Sequence, residues 1–289
     1  MQEITPREAA QSRPFPTSAI IKEAWQLSTT YFWPFILAIF VIGFPSTIIT
    51  AFIEDPRRSF QFNGFYDTFI SGFVMIGCYR SIYLLKSEGK HPTFSGIFAE
   101  GNMFYALNVR QSFLIGLYAI GIGIAITLLV LPCWELINSK KEETWPYLLF
   151  AISVILAILA GAWCLIRLML YRAALADDAT SARKSVSSCL ALTKGKVRRL
   201  TPLSLVLGSG IIAWMFLVTA ALMIPELAYD APMTKANELI LMVLLDIPLA
   251  FWQAFMIAAL ALSYRHLKES SKTAEGTPVD APAGDIPLA

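Results

Sequence analysis

Asp246 is the residue whose type and place could do chemistry. It stands in Leu244-Leu245-Asp246-Ile247-Pro248, about a third of the way into a long apolar stretch. A charged group there is costly and needs an account. Pro248 leaves a backbone carbonyl without its amide and can bend a helix. Gln253 follows on the same helical face. One reading of the pair is a proton or cation site, or the polar lining of a substrate path. The other is a carboxylate that pairs at a packed helix interface near the outer surface of a membrane. A transporter normally shows more than one such group, which favours the second reading.

Other chemistry finds little support. The only histidines are His91 and His266, and neither has a second ligand at helical or Cys-x-x-Cys spacing, so metal and haem sites, and cofactors generally, are not expected. Gly89-Lys90-His91 lacks the Ser or Thr and the upstream Gly of a phosphate loop. Gly208-Ser209-Gly210 is not a nucleophile elbow and reads as close helix packing. Cys78, Cys133, Cys164 and Cys189 have no paired spacing, and only Cys133 is expected on the outer side, so a structural disulfide is not expected.

A third feature is electrostatic. Residues 183–199 read as a basic amphipathic segment carrying Arg183, Lys184, Lys194, Lys196, Arg198 and Arg199. Such a face can lie against an anionic leaflet, at about 1 kcal/mol per charge, or can simply fix topology. Charge at a membrane surface without an aromatic stacking platform argues against nucleic acid as a partner. Arg167 lies one turn inside Arg172 and can snorkel to the headgroups.

The elements that hold these residues are apolar helices. The chain of 289 residues is 56% hydrophobic and only 15% charged, with a mean hydropathy of +0.59. A soluble domain carries about 25% charged residues. Six stretches, 31–53, 64–85, 112–132, 146–170, 202–224 and 238–263, approach or exceed the ~20 residues that cross a bilayer as a helix. In lipid each span must satisfy its own backbone, which selects helices. The fold class expected is therefore all-α: a polytopic membrane protein with six transmembrane helices. A flexible segment over 1–16, a membrane domain over 17–266 and a disordered tail over 267–289 complete the organisation.

Topology follows from Lys and Arg. Of the 23 such residues only Arg57, Arg58, Lys140, Lys141 and Lys235 fall in the odd-numbered connections. The rest lie in the even-numbered connections and the terminal segments, which places both termini in the cytoplasm of a bacterial inner membrane. The first apolar run lacks a small-residue cleavage site and is expected to stay as an anchor.

The chain also reads as a possible threefold repeat of an amphipathic helix at the cytoplasmic interface followed by two spans. The three short helices are expected over 18–30, 94–107 and 181–198. They open at Pro16-Thr17-Ser18, Pro92-Thr93 and Asp178-Ala179-Thr180-Ser181, which hold helix N-cap residues. Each unit closes on Tyr-Arg: Tyr79-Arg80, Tyr171-Arg172 and Tyr264-Arg265. Tyr at the headgroups with a snorkelling Arg makes each pair an interfacial anchor.

With these elements in place the chain resembles the YciC-like family of six-span bacterial membrane proteins. It also resembles the related membrane domain attached to some glycerophosphoryl diester phosphodiesterases. The resemblance rests on Ala24-Trp25-Gln26-Leu27 entering Tyr31-Phe32-Trp33-Pro34, on Arg80 through Phe98, and on Arg172 through Asp177 leading to Ser185 and Leu192-Thr193-Lys194-Gly195-Lys196. It covers about residues 17–265 and implies no catalytic residues. The phosphodiesterase barrel has no counterpart in this sequence, so its activity does not carry over. The expected function is a non-enzymatic structural, scaffolding or regulatory membrane module, with membrane lipids as partners. The alternative is a small transporter or lipid-handling protein with a cavity near Asp246 and Gln253.

Overall fold

Apolar runs this long have one way to satisfy their amides away from water, and the computed structural model is helical throughout. It describes residues 15–53, 55–139, 144–178, 181–229 and 234–275. In order these form α1 (Thr17–Thr30), α2 (Phe32–Ala51), α3 (Pro56–Tyr66), a π-helical turn (Asp67–Ser71), α4 (Gly72–Glu88), α5 (Phe94–Met103), α6 (Tyr105–Ser139), α7 (Trp145–Leu168), α8 (Tyr171–Asp178), α9 (Ala182–Thr193), α10 (Val197–Tyr229) and α11 (Lys235–Glu275). There is no strand among the described residues. Six helical segments are long and apolar enough to cross a membrane: Phe32–Ala51, Arg57–Glu88, Tyr105–Ser139, Trp145–Asp177, Val197–Ala221 and Leu239–Ser271. These correspond to the six stretches expected from the sequence; the second, third and fourth are longer at both ends, the first is slightly shorter, and the last two are shifted.

The short helices begin where capping chemistry allows. Thr93 Oγ1 accepts from Gly96 N at 3.1 Å, and Ser181 Oγ accepts from Lys184 N at 3.1 Å. At the first short helix the expectation differs from the structure: the N-cap is Pro16, which has no side-chain acceptor, and Thr17 is already helical. Gly89 ends α4 in the left-handed region at φ 69°, where a side chain would be strained. Lys194-Gly195-Lys196 breaks the chain between α9 and α10, with Gly195 at φ 71°. A single helix over 181–198 is therefore corrected to two. Phe104 likewise ends α5, where a helix was expected to run to 107.

The buried faces of the short helices rest on spans. Ile20, Ala24, Leu27 and Ser28 are buried where α1 meets α11 and α2; Ile97 and Gly101 where α5 meets α4; Ala182, Ser185, Val186, Cys189 and Thr193 where α9 meets α8, α7 and α6. The core sits at one end of the bundle, where α4, α8 and α11 converge. Val74, Ile82, Leu170, Ala173, Ala258, Ala261 and Tyr264 are among its buried members. Towards the other end large apolar side chains such as Leu128, Leu159 and Phe216 are exposed, as a lipid-facing surface requires.

Small residues set the closest approaches. A Cβ on Gly77 would run into the backbone carbonyl of Ile97, and one on Gly101 into that of Phe73. These two glycines let α4 and α5 meet backbone to backbone. Gly210 makes room for the Trp252 ring, whereas Gly208 has open space around it. The expected glycine packing is therefore carried by one member of Gly208-Ser209-Gly210. Trp252 Nε1 donates to Leu207 O at 3.3 Å, and Trp214 Nε1 donates to Leu245 O at 3.3 Å, so α10 and α11 exchange indoles. Leu245 O neighbours the carbonyl that Pro248 deprives of its amide.

α11 runs on past 266, the expected end of the membrane domain. Leu267 is buried in the core and Lys268 pairs with Asp177 of α8, so α11 continues to Glu275. Of the expected flexible segment over 1–16 and disordered tail over 267–289, residues 1–14 and 276–289 lie outside the described residues, while 267–275 are helical.

Gly77→Ala and Gly101→Ala are expected to lower thermal stability in detergent, although alanine is the better helix former by about 1 kcal/mol. Overpacking costs about 1–3 kcal/mol. Gly121, around which space is open, is expected to accept alanine without loss. Equal Tm changes in all three variants would remove the close-approach explanation.

Candidate functional site

Asp246 finds a partner across the bundle. α11 carries it half-buried against α2, where Thr47 Oγ1 donates to Asp246 Oδ2 at 2.5 Å. The neighbourhood is modestly polar: Ser46 Oγ donates to Asn63 Oδ1 at 3.0 Å, and the Tyr66 hydroxyl donates to Ile42 O at 2.5 Å. Gln253 is half-buried two turns along α11 and shares no hydrogen bond with Asp246. At 1.5 Å per residue the two lie about 10 Å apart along the helix. The structure thus brings Asp246 to Thr47 and does not bring it to Gln253. The carboxylate holds one hydroxyl between two spans.

The basic segment divides into two groups. Arg183 and Lys184 occupy the first turn of α9, both exposed; Lys194, Arg198 and Arg199 are exposed around the Gly195 turn, and Lys196 is half-buried there. Burial, with the Arg199 charge beside it, lowers the Lys196 pKa from the usual lysine value. Buried in α9, the Cys189 thiol donates to Arg167 O at 3.1 Å, and burial pushes its pKa up to about 12. It therefore stays protonated at neutral pH and is a poor nucleophile.

Arg167 does not need to reach headgroups. Its Nη2 donates to Leu190 O at 2.8 Å and its guanidinium lies 4.7 Å from the Trp163 ring. The Tyr-Arg pairs are likewise not simple anchors. Tyr79 and Tyr264 are core residues, at 3% and 0% exposure. Arg80 Nε lies 3.7 Å from Glu100 Oε2, Arg80 Nη1 donates to Ala176 O at 3.4 Å, and Arg265 Nε meets Glu269 Oε1 at 2.8 Å. The three span ends meet one another and enclose Tyr79 and Tyr264, whereas Arg265 pairs within its own helix and is partly exposed.

The most polar buried region was not anticipated. Asn108 and Gln111 of α6 are both fully buried. Gln111 Nε2 donates to Ser185 Oγ at 2.6 Å and Tyr171 O at 2.8 Å, tying α6 to α9 and α8. Asn108 lies against Gly72, at the end of the π-helical turn, and neither of its amide atoms has a hydrogen-bond partner. Gln111 Oε1, Ser112 Oγ and Arg172 Nε are also without one. Asp67 in that turn bonds with Ser71 and feels the Arg172 charge. π-Helical turns often mark functional positions. The available signal was the i, i+3 spacing of Asn108 and Gln111 just ahead of the third apolar stretch.

A cavity of about 810 Å3 lies beside this region, lined from the π-helical turn, α6 and the start of α9. Neither Asp246 nor Gln253 lines it. No group of three or more His, Cys, Asp or Glu side chains that could hold a metal ion occurs among the described residues.

These features define an all-helical, multi-pass membrane protein with six candidate spans. Compared with protein-family models, curated proteins and solved structures, the chain matches none.

Asp246→Asn keeps an acceptor for Thr47 and is expected to leave thermal stability unchanged. Asp246→Leu removes that acceptor and is expected to cost about 1–3 kcal/mol. Unfolding of the two purified variants decides this: equal losses would show that charge, and not the hydrogen bond, holds α2 to α11.

Proposed function

We propose that this chain is a non-enzymatic scaffold of a bacterial inner membrane, built from three units of one short helix and two spans. The carrying observation is how α4, α8 and α11 close on one another. The Tyr83 hydroxyl of α4 lies 3.1 Å from Ala173 O of α8 and 3.5 Å from Ala261 O of α11, and Lys268 of α11 pairs with Asp177 of α8. A shared core of tyrosine, alanine and aliphatic side chains fills the junction, where a transporter would need a passage.

The three-unit reading rests on a further regularity. α5, which opens the second unit, packs on α4 of the first; α9, which opens the third, packs on α8 of the second; and α1, which opens the first, packs on α11 of the third. Each short helix leans on the last span of the unit before it, and the series closes into a ring. In this reading the three lie at the cytoplasmic interface, both termini are cytoplasmic, and Arg183, Lys184, Lys194, Lys196, Arg198 and Arg199 face anionic lipid. The resemblance to the YciC-like family, on the motifs given above, agrees with such a role and supplies no activity.

A reporter fused after Arg265 is expected to be active only in its cytoplasmic form. In proteoliposomes the protein is expected to carry protons or alkali cations no faster than empty vesicles leak. A flux that Asp246→Asn abolishes would replace the scaffold with a transporter.

A further inference from the structure

We propose that the cavity between the π-helical turn, α6 and α9 is a binding site for one anionic phospholipid, with its phosphate at Arg110 and Arg183 and an acyl chain along α6. The inference goes beyond the scaffold reading and does not depend on it: flux bears on that reading and lipid affinity on this one.

The walls suit an amphiphile. Phe69, Leu107, Phe113, Leu114, Leu117 and Ile120 give the cavity an apolar lining, while Arg110, Arg183, Ser112 and Thr68 supply its polar groups. A second open cavity of about 480 Å3 continues along the same helix past Tyr118 and Gly121 to Ala125, and the two share Leu114 and Leu117. Together they form one trough that starts at Arg110. From Arg110 to Ala125 the helix rises about 22 Å. One leaflet of a ~30 Å hydrocarbon core is about 15 Å deep. The trough is long enough for an acyl chain whose head stays at the arginines.

Charge selects the head. Arg110 and Arg183 are exposed at the mouth, and neither has an acidic side chain within 4 Å among the described residues. Other basic side chains of the same end are paired: Lys86 with Glu23, Lys268 with Asp177, Arg80 with Glu100, Arg265 with Glu269. Arg183 and Lys184 moreover occupy the first turn of α9, which has no acidic residue. Cations are unfavourable at that end of a helix, and an anion placed between Arg110 and Arg183 offsets the conflict. Ser112, another lining residue, has a buried hydroxyl without a hydrogen-bond partner. Two arginines favour a head whose only charge is its phosphodiester over a zwitterionic one, whose ammonium they would repel.

Gly116 offers a clean block. It lines the trough, and a side chain added there enters open space, so Gly116→Leu fills the site without crowding a helix contact. The full chain, delipidated in mild detergent and titrated with phosphatidylglycerol, is read by native mass spectrometry. One lipid per chain is expected to be retained, and phosphatidylcholine to bind more weakly. Arg110→Gln with Arg183→Gln, and separately Gly116→Leu, are each expected to weaken retention at least tenfold with Tm unchanged. Lys22→Gln with Lys90→Gln, exposed and outside the trough, is expected to leave it as in the wild type. Three results would overturn the site: wild-type binding in both trough variants; equal weakening by the Lys22 and Lys90 pair, which would mean diffuse surface attraction; or equal competition by glycerol phosphate, which would mean a free-anion site without a chain.

Discussion

Helices already in lipid gain little from the hydrophobic effect when they associate, so close packing and polar bonds must hold them. The convergence of α4, α8 and α11 meets that constraint. α11 presents Ala250, Ala254 and Ala258 one turn apart, all buried, and α8 presents the buried Ala173, Ala174 and Ala176. Small side chains let backbones approach, and Tyr83 then reaches carbonyls on both neighbours. Gly77 and Gly101 repeat the device between α4 and α5. The short helices, the Trp214 and Trp252 exchange and the Asp246–Thr47 bond are arranged around spans whose spacing is set at this junction.

The spans were legible because lipid enforces a simple rule on composition, and each expected stretch lies within or close to an observed helix. Thr93 and Ser181 were legible because a cap is a local event. What failed to show is non-local. Nothing near Asp246 in sequence points to Thr47, which lies 199 residues away. Tyr79 and Tyr264 read as interfacial anchors because aromatic-basic pairs at span ends usually are, and only the tertiary contact buries them. The break at Gly195 was hidden by the apolar periodicity continuing on either side, although a glycine between two lysines was a local hint. Asn108 and Gln111 were passed over because they precede the apolar stretch. Their helix starts earlier than hydropathy suggests, at Tyr105.

Positive charge at the packed end serves two purposes. Lys86, Lys268, Arg80 and Arg265 have carboxylate partners. Pairs this accessible contribute about 0–1 kcal/mol each, so they fix register more than they add stability. The Lys268–Asp177 pair is the clearest case, because it carries α11 past the expected end of the membrane domain. Arg110, Arg183 and Lys184 have no such partner within 4 Å among the described residues. A topology signal alone would be indifferent to that division, since it depends on how many cations lie on a side and not on what they touch.

Burial is also uneven among the spans. In the most apolar window of α6 none of the residues is buried, whereas over half are in the window of the second span. α6 touches α7 through Cys133 Sγ and Ser153 Oγ at 3.2 Å and through Trp134 beside Phe150, far from the converged core. Its near end is instead anchored by Gln111 to α8 and α9. A helix fixed at a polar foot and at a distant hairpin has an open flank between them. That flank is the trough above Arg110, so the polar foot and the unpaired arginines stand where a lipid filling the flank would have its head.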